Sequence, residues 1–396
     1  CAQASRCVYC FYPSVFNVNN GDMTKIKILH VQVLPILSGV QNISLDILAH
    51  LDAEKYDKYL ICAQDAIESA EFAEKFTRAG VTIIRLESLK RAIGKHDIRA
   101  FRDLYRLIKK HDFDIVHSHS TKPGILARMA ARLAGVSAVI HTVHGVAFHK
   151  NEPRLKRTFF YAIEFFATLF GHFLTSVNGY YKKHFRFVAK ERFRIIYNGI
   201  DVSYRGKRMQ QEKKQKHILY LSRLERAKDP LTLLKAANLL KNKYKRDDFK
   251  IKIAGDGDLM ADCVQYVASH QLEQQVEFLG WVTEKTPVYQ DADIFCVPSI
   301  FEAFGLVFAE AGLYELPTVA TTVEGIPEVV INEKTGYLVS PQRPDLLAEK
   351  LVYLLDNPHE CYRLGAAAKE YVLANFTKER MAEEYEKLYR QSLSRS

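Results

Sequence analysis

The sequence predicts an α/β protein with two domains, each built on a parallel β-sheet. Short apolar runs typical of strands alternate with helical patterns along most of the chain, which indicates a parallel sheet covered by helices on both faces. The length of 396 residues suits two domains, and the 48% hydrophobic content is enough for two buried cores. A polar, charged stretch at residues 203–216 divides the alternation and is the expected linker.

The first domain is expected over residues 23–202. Its first strand spans 26–31 and leads through a turn into a helix with apolar residues at helical spacing. The elements predicted after it are a strand at 58–62, a helix at 67–78, a strand at 81–85, a helix at 97–111, and strands at 114–119 and 139–145. Ligands of such sheets bind at the carboxyl ends of the strands.

The second domain is expected over residues 217–377. The elements predicted in it are strands at 217–223, 250–255, 276–280 and 294–298, a helix from Pro230 and a helix opened by Gly305. A last helix is predicted after this domain, at 378–393. Residues 1–22 are expected to be an extension outside both domains, because the first methionine is Met23 and the pair Cys7 and Cys10 has no second cysteine pair to complete a metal site.

The net charge of +10 indicates an anionic partner, which is nucleic acid, an acidic membrane surface or a phosphorylated substrate. No recognisable nucleic-acid-binding module accompanies the charge, so nucleic acid is not expected. The seven cysteines favour a reducing cytoplasm over a disulfide framework. Residues 159–174 are the best candidate for a membrane span, but Glu164, Gly171 and His172 interrupt them.

Residues 148–187 mix basic residues with aromatic ones. Such a mixture suits a surface that faces anionic lipid, and it also suits a core helix whose basic side chains extend to water. Both interpretations stay open at this point. The basic residues concerned are Lys150, Arg154, Lys156, Arg157, Lys182, Lys183 and Arg186.

Residues 294–312 are the most informative stretch. A buried strand leads through a loop to Gly305, and a glycine at a helix start lets backbone N–H groups approach an anion. Glu302 precedes this turn and Glu310 lies in the helix. Two carboxylates around an anion-binding turn suit a nucleotide sugar, although a surface helix with two solvated glutamates would show the same residues.

These residues resemble a known family. Glu302 and Glu310, separated by seven residues, match the E-x7-E motif of the retaining glycosyltransferases of family 4. The segments at 317–321 and 324–329 and the T-x-H-G sequence at His144 match as well. The resemblance implies the GT-B fold, in which two Rossmann-like domains face a cleft. It also implies that the first domain binds the acceptor, that the second binds the donor, and that the last helix crosses back onto the first domain within residues 378–396.

The resemblance also implies the site. Glu310 would bind the ribose hydroxyls, Glu302 the sugar hydroxyls, and His144 would reach toward the donor sugar. Diphosphate binding would fall to two cations and to the turn at the helix start, and the residues concerned are Arg223, Lys228, Phe304, Gly305 and Leu306. Catalysis is expected from Glu302, His144, Arg223 and Lys228.

No metal and no cofactor are expected. The Asp-x-Asp triplets at 112–114, 256–258 and 291–293 adjoin strands and turns rather than forming a ligand set. His117 and His119 share a strand face and could suggest a metal, but no carboxylate or cysteine lies close by in sequence, so they are expected to be histidines at a loop edge.

The expected function is therefore a retaining, metal-independent glycosyltransferase. The resemblance implies that it moves a hexose or N-acetylhexosamine from a UDP-sugar to a lipid-linked saccharide of a bacterial O-antigen or capsule, at the inner face of the plasma membrane. Two alternatives stay open: an enzyme of the UDP-N-acetylglucosamine 2-epimerase kind, which shares the fold, and a non-catalytic protein that binds a sugar nucleotide.

Overall fold

A computed structural model describes residues 24–64, 69–148, 153–203 and 215–394. The expected extension at 1–22, most of the expected linker at 203–216, and Lys150 lie outside the described residues.

Within the described residues, the first sheet has seven strands in the order β3-β2-β1-β4-β5-β6-β7, and all neighbouring strands are parallel. The elements are β1 Ile26–Val31, α1 Gly39–His50, β2 Tyr56–Ala63, α2 Ala70–Arg78, β3 Val81–Leu86, α3 His96–His111, β4 Ile115–His119, α4 Thr121–Ala134, β5 Ala138–Val143, α5 Arg154–Thr168, β6 Phe173–Ser176 and β7 Phe193–Ile195. Two short 3₁₀ turns, Tyr180–His184 and Lys190–Arg192, lie between β6 and β7.

The second sheet has six strands within the described residues, in the order β10-β9-β8-β11-β12-β13, again all parallel. Its strands and the remaining helices are β8 Lys216–Leu221, α6 Pro230–Asn242, β9 Phe249–Ala254, α7 Met260–Ser269, β10 Val276–Gly280, α8 Thr286–Gln290, β11 Ile294–Cys296, α9 Leu306–Leu313, β12 Thr318–Thr321, α10 Ile326–Val329, β13 Gly336–Val339, α11 Pro344–Asp356, α12 Pro358–Asn375 and α13 Lys378–Leu393. The predicted α/β class with two parallel sheets is confirmed.

The central strands of the first sheet are buried on both faces, as expected for parallel strands between helices. Every residue of β4 and β5 is buried. One face packs on α3 and α4 through a core that includes Leu104, Ile108 and Ala127. The other packs on α1 and α13. This packing leaves the carboxyl ends of the strands as the edge that can bind ligands.

Helix α13 packs on the first domain although it follows the second in sequence. It contacts α1 and β5 and buries Met381, Tyr385 and Tyr389 in the core of the first domain. A parallel bridge between Ile200 and Thr377 joins the two crossing segments just before α13 begins. The Thr377 side chain caps the helix by accepting a hydrogen bond from the Arg380 N–H.

The apolar run at 159–174 consists of two elements rather than one helix. Helix α5 ends at Thr168 and strand β6 begins at Phe173. The turn between them contains Gly171 and His172, and the His172 Nδ1 is 2.9 Å from the Val139 backbone N, from which it accepts a hydrogen bond. None of the helices within the described residues combines the length and the apolar character that crossing a bilayer requires.

A buried ion pair links helix α5 to helix α4. The Arg128 Nη2 lies 2.8 Å from the Glu164 Oε1, and the two side chains are 1% and 5% exposed. The Arg128 Nε also donates to the Gly124 carbonyl at 2.9 Å. Removing one member of such a pair leaves an uncompensated charge in the interior.

We therefore expect Glu164→Gln to lower the free energy of unfolding by about 3–5 kcal/mol, measured by urea denaturation. The matched control is Glu74→Gln, which breaks a 2.6 Å pair with Arg78 on the exposed surface of α2 and should cost less than about 1 kcal/mol. Equal losses in the two variants would contradict the interpretation of a buried pair.

Candidate active site

The turn into α9 requires glycine. Gly305 has φ 81° and lies directly before the first residue of α9. A β carbon at this position would lie 2.4 Å from the Phe308 ring and 3.0 Å from the Glu302 Cγ. The left-handed backbone and the lack of space together exclude other residues without strain. The helix was expected to open at Gly305 and begins one residue later, at Leu306.

Glu302 and Lys228 form an ion pair at the edge of the second sheet. The Lys228 Nζ contacts the Glu302 Oε2, and the side chains are 14% and 15% exposed. Two loops meet here because the Ala227 carbonyl accepts a hydrogen bond from the Ile300 N–H at 2.8 Å. The structure thus brings together two residues that lie far apart in sequence and that were both expected in the site.

Arg223 begins the same loop, but its side chain pairs with a neighbouring glutamate of that loop and not with Glu302. Its side chain is 65% exposed and pairs with Glu225 at 2.9 Å. The Tyr220 hydroxyl donates to the Arg223 carbonyl at 3.1 Å, which holds the loop backbone at the end of β8. An exposed guanidinium on a fixed backbone can turn toward a ligand without unfolding the loop.

Glu310 lies on α9 and is held by two residues that sequence reasoning missed. Its carboxylate is 2.9 and 3.0 Å from the Lys285 Nζ and 2.8 Å from the Tyr289 hydroxyl. Burial raises the pKa of Tyr289 well above its usual value, so the phenol is protonated and donates. Lys285 directly precedes the short helix α8 and Tyr289 lies within it, and the sequence there shows only a lysine before Thr-Pro and no motif that would have identified them.

Glu310 lines a cavity of about 460 Å³ between the two domains. The second domain contributes Lys285, Tyr289, Leu306, Glu310, Leu313 and Tyr314, and the remaining lining residues are Asn42, Ile43, Leu45, Asp46, Lys75, Gly199, Ile200 and Asp201. Burial raises the pKa of Asp46, on α1, to about 6. The cavity is large enough for a ring-sized part of a ligand.

The amino ends of α1 and α9 approach each other across the cleft. A β carbon on Gly39, the first residue of α1, would lie 3.5 Å from the Leu306 Cδ1, at the first residue of α9. Both helix starts carry partial positive charge and N–H groups without an intrahelical partner, so an anion between them would be stabilised. Phe304 is only 2% exposed and packs on Phe376, so its contribution to a ligand site is limited to its backbone.

His144 directly follows β5 on the other wall of the cleft. Its Nε2 lies 3.0 Å from the Nδ1 of His119. The residue is partly exposed, and the withdrawal of its ring from water lowers its pKa to about 4, so the imidazole is neutral at pH 7. A neutral ring can accept or donate a hydrogen bond to a sugar hydroxyl.

His117 and His119 are not at a loop edge, contrary to the expectation. Both lie within β4, are fully buried, and join His30 of β1 in a cluster. The reason is the position of α13, whose Tyr385 and Tyr389 cover this face of the sheet. The sequence separation of more than two hundred and fifty residues between β4 and α13 hid this contact.

One aspartate of each Asp-x-Asp triplet makes a contact that supports the fold. Asp114 accepts from the Lys27 backbone N–H at 2.8 Å, and Asp256 accepts from the Gly257 N–H at 2.7 Å. Asp291 lies 2.6 Å from the Lys252 Nζ. The absence of a metal requirement was an expectation from sequence and stays a prediction.

Family models match both halves of the chain. Residues 37–204 match the model described as glycosyltransferase family 4, and residues 206–371 match the model described as glycosyl transferases group 1. The chain belongs to glycosyltransferase family 4. The resemblance on which the sequence analysis relied is thereby confirmed, and the chain is a glycosyltransferase.

The chain is also similar to individual proteins over most of its length. The chain is 32% identical over 350 residues to the Escherichia coli UDP-Gal:alpha-D-GlcNAc-diphosphoundecaprenol alpha-1,3-galactosyltransferase, an alignment that covers 84% of this chain and 89% of that protein. It is 26% identical over 358 residues to an uncharacterized 41.2 kDa protein in the cps region of Klebsiella pneumoniae, with 84% of this chain and 92% of that protein covered.

Solved structures of the same fold include a glycosyltransferase from Rickettsia africae, with a TM-score of 0.78 and 21% identity over 94% of this chain and 100% of that one. Anabaena HepE in complex with UDP and glucose has a TM-score of 0.77 and 16% identity, over 92% of this chain and 99% of that one. The GT-B fold is therefore confirmed.

We expect Gly305→Ala to lower the free energy of unfolding through both backbone strain and the clash with Phe308. The control is Gly135→Ala, because Gly135 has φ 86° and open space around its would-be β carbon. Strain alone should cost about 1–2 kcal/mol in the control, and the clash should add about 1–3 kcal/mol at Gly305. Equal losses of unfolding free energy in the two variants, measured by urea denaturation, would contradict the close packing of Phe308 against Gly305.

Proposed function

We propose that the cleft transfers a hexose or N-acetylhexosamine from a UDP-sugar to a lipid-linked saccharide of a bacterial surface polysaccharide, with retention of anomeric configuration and without a metal ion. The observation that carries the proposal is the meeting of two helix amino ends, at Gly39 and Leu306, in a cleft that also contains the Lys228–Glu302 pair and Glu310. Such a site provides positive potential for a diphosphate between two carboxylates that can bind hydroxyl groups.

The donor would lie with its ribose at Glu310, its diphosphate at the start of α9, and its sugar at Glu302. In the free protein, Lys228 and Glu302 satisfy each other. On donor binding, the ammonium group of Lys228 would contact the diphosphate and the Glu302 carboxylate would accept from sugar hydroxyls. Two similar proteins support this proposal. HepE, which was solved with UDP and glucose, supports the donor, and the E. coli galactosyltransferase, which is named for a diphosphoundecaprenol-linked sugar, supports the acceptor.

In the proposed reaction, the bond between the sugar C1 and the β-phosphate oxygen breaks, and the acceptor hydroxyl oxygen bonds to C1 from the same face. The acceptor proton passes to the departing diphosphate oxygen, so no protein nucleophile is needed. Negative charge on that oxygen is stabilised by Lys228, by Arg223 once it turns inward, and by the N–H groups at Leu306. His144, neutral because of burial, would hold a donor hydroxyl.

The exposed face of α5 supports attachment to an anionic membrane. Its exposed large apolar side chains are Leu155, Phe159, Tyr161, Phe165, Phe166 and Leu169, with exposed fractions of 40–86%. Of the aromatic residues at 148–187, others such as Phe148 and Phe185 are buried in a small core. Basic side chains border the apolar face, and the pairing of rings with positive charge suits the interface of an anionic bilayer.

The donor and acceptor are tested with a panel of nucleotide sugars. Thermal shift should single out UDP-sugars, and the selected donor should be consumed with formation of UDP only when a lipid-linked saccharide is present. Conversion of the sugar nucleotide without any acceptor would instead favour an epimerase. Binding without any turnover across many acceptors would favour a non-catalytic protein.

Replacing either cation should lower turnover. Charge-assisted hydrogen bonds contribute about 1.5–3 kcal/mol each, so Lys228→Ala and Arg223→Ala should each reduce kcat roughly tenfold to a thousandfold. The exposed Arg226 in the same loop provides the control, since Arg226→Ala should retain the wild-type rate with an unchanged circular dichroism spectrum. Near-normal rates for both site variants would contradict the assignment of the diphosphate site.

Transfer should persist in excess EDTA. The positive potential comes from Lys228, Arg223 and the helix starts, so no divalent cation is needed at the leaving group. The measurement is the initial rate of UDP release before and after prolonged dialysis against the chelator. Complete loss that manganese or magnesium restores would overturn the metal-independent mechanism.

The protein should co-sediment with vesicles that contain anionic lipid at low salt and be released at high salt. Each basic residue near an anionic surface contributes about 1 kcal/mol, and salt screens this attraction over about 10 Å. Exchanging Arg154, Lys156 and Arg157 for glutamine should weaken the binding, with donor hydrolysis in solution unchanged.

The control for the vesicle experiment removes the same charge from the second domain. Lys235, Lys243 and Lys245 are exposed there, and their exchange for glutamine should leave vesicle binding as in the wild type. A wild-type protein that ignores anionic vesicles at low salt would show that α5 does not face a bilayer.

A further inference from the structure

The sheet itself places three buried histidines together, and one of them, His119, adjoins His144. His30 of β1 and His117 of β4 are paired neighbours on adjacent parallel strands. His119 lies two residues further along β4 and therefore projects from the same face. All three residues are fully buried, and α1 and α13 cover that face of the sheet.

Their nitrogen atoms are close enough to share one ion. One ring nitrogen from each of the three residues lies within 4.8 Å of the others. The Nδ1 of His30 and the Nε2 of His119 are 3.2 Å apart. Zinc binds imidazole nitrogen at about 2.0–2.1 Å, so two nitrogens on a tetrahedral ion are about 3.4 Å apart. The 3.2 Å between His30 and His119 is close to that spacing, and a nitrogen of His117 lies within 4.8 Å of both.

Each ring also has an outer partner, as ligating histidines have. The His30 Nε2 lies 3.2 Å from the Tyr389 hydroxyl, and the His119 Nδ1 lies 3.0 Å from the His144 Nε2. His117 is held by Tyr389 and by Thr142, both at 2.7 Å, so one of its nitrogens stays anchored whichever binds an ion. Burial lowers the pKa of His30 to about 3 and that of the other two well below the usual value, which leaves the imidazoles neutral.

We propose that His30, His117 and His119 bind one divalent transition-metal ion, with zinc as the best match. Three imidazoles suit zinc, copper or nickel, whereas magnesium and calcium require oxygen ligands. The ion would enter from the cleft, where the partly exposed His144 adjoins His119.

The role of this site is structural. The ion would join β1 to β4 and, through the hydroxyl of Tyr389, would fasten α13 to the first domain. It would lie one imidazole away from His144 and would not touch the leaving group. The proposal therefore does not depend on the proposed transferase activity, and its failure would leave that function untested rather than contradicted.

The experiment is titration of the chelator-treated full chain with cobalt and zinc. Saturable binding of one equivalent is expected, with the visible absorption of tetrahedral cobalt and a higher melting temperature in zinc, because a ligand that binds only the folded state stabilises it. Loss of an outer partner alone costs about 10–100-fold in affinity, so His117→Gln should weaken binding at least about a hundredfold. His50→Gln, at an exposed histidine of α1, should bind as the wild type.

X-ray absorption spectroscopy of the zinc-loaded wild type needs no variant and should count three imidazole ligands. The proposal is overturned if the wild type shows no saturable binding, if the spectrum counts fewer than three imidazoles, or if a folded His117→Gln binds as tightly as the wild type. Should His117→Gln fail to fold, His30→Gln replaces it with the same expected loss.

Discussion

The carboxylate of Glu328 joins the two domains at the edge where their sheets face each other. From α10 in the second domain it accepts hydrogen bonds from the backbone N–H groups of Gly179 and Tyr180, at 2.7 and 2.9 Å, and from the Tyr197 hydroxyl at 3.0 Å. All three donors belong to the first domain. A carboxylate with several such donors is a strong and directional link, so it fixes the relative position of the two walls of the cleft.

The positions of the site residues depend on this link. The Asn178 amide donates to the Ala303 carbonyl, directly beside Glu302, and Ala303 packs on the small core at the end of β5. Glu324 accepts from the Glu302 backbone N–H at 3.1 Å and from the Tyr181 hydroxyl at 3.2 Å. The loop that carries Glu302 is thus held from both domains at once.

Two electrostatic environments adjoin in this cleft. On the wall of the second domain, Lys228 and Glu302 form an ion pair, and helix starts add positive potential for an anion. On the other wall, burial favours the neutral form of His144 and of the histidines behind it. In the proposed reaction, a charged leaving group and an uncharged sugar have different requirements, and each wall would meet one of them.

Local pattern was sufficient to predict the alternating elements, the α/β class and the stretch around Gly305. A glycine between a strand and a helix, with a glutamate on each side, constrains the backbone in a way that is visible in a short window. The resemblance to family 4 supplied residues that the chain then brings together, such as Lys228 and Glu302.

Contacts between distant segments were not predictable in the same way. Lys285 and Tyr289 reach Glu310 only because α8 packs beside α9, and no spacing in the sequence records that contact. His117 is expected at a loop edge from the sequence, but it is buried because Tyr389, from the helix at the other end of the chain, packs over it. Tertiary packing, rather than local propensity, decides such positions.

The proposed reaction transfers a sugar with retention of its anomeric configuration. Its most direct test is the anomeric configuration of the product formed from an α-linked UDP-sugar and a lipid-linked N-acetylglucosamine acceptor, measured from the coupling of the anomeric proton in the NMR spectrum. Attack from the face of the departing diphosphate predicts an α-linked product. A β-linked product would contradict retention, because it would require attack from the opposite face.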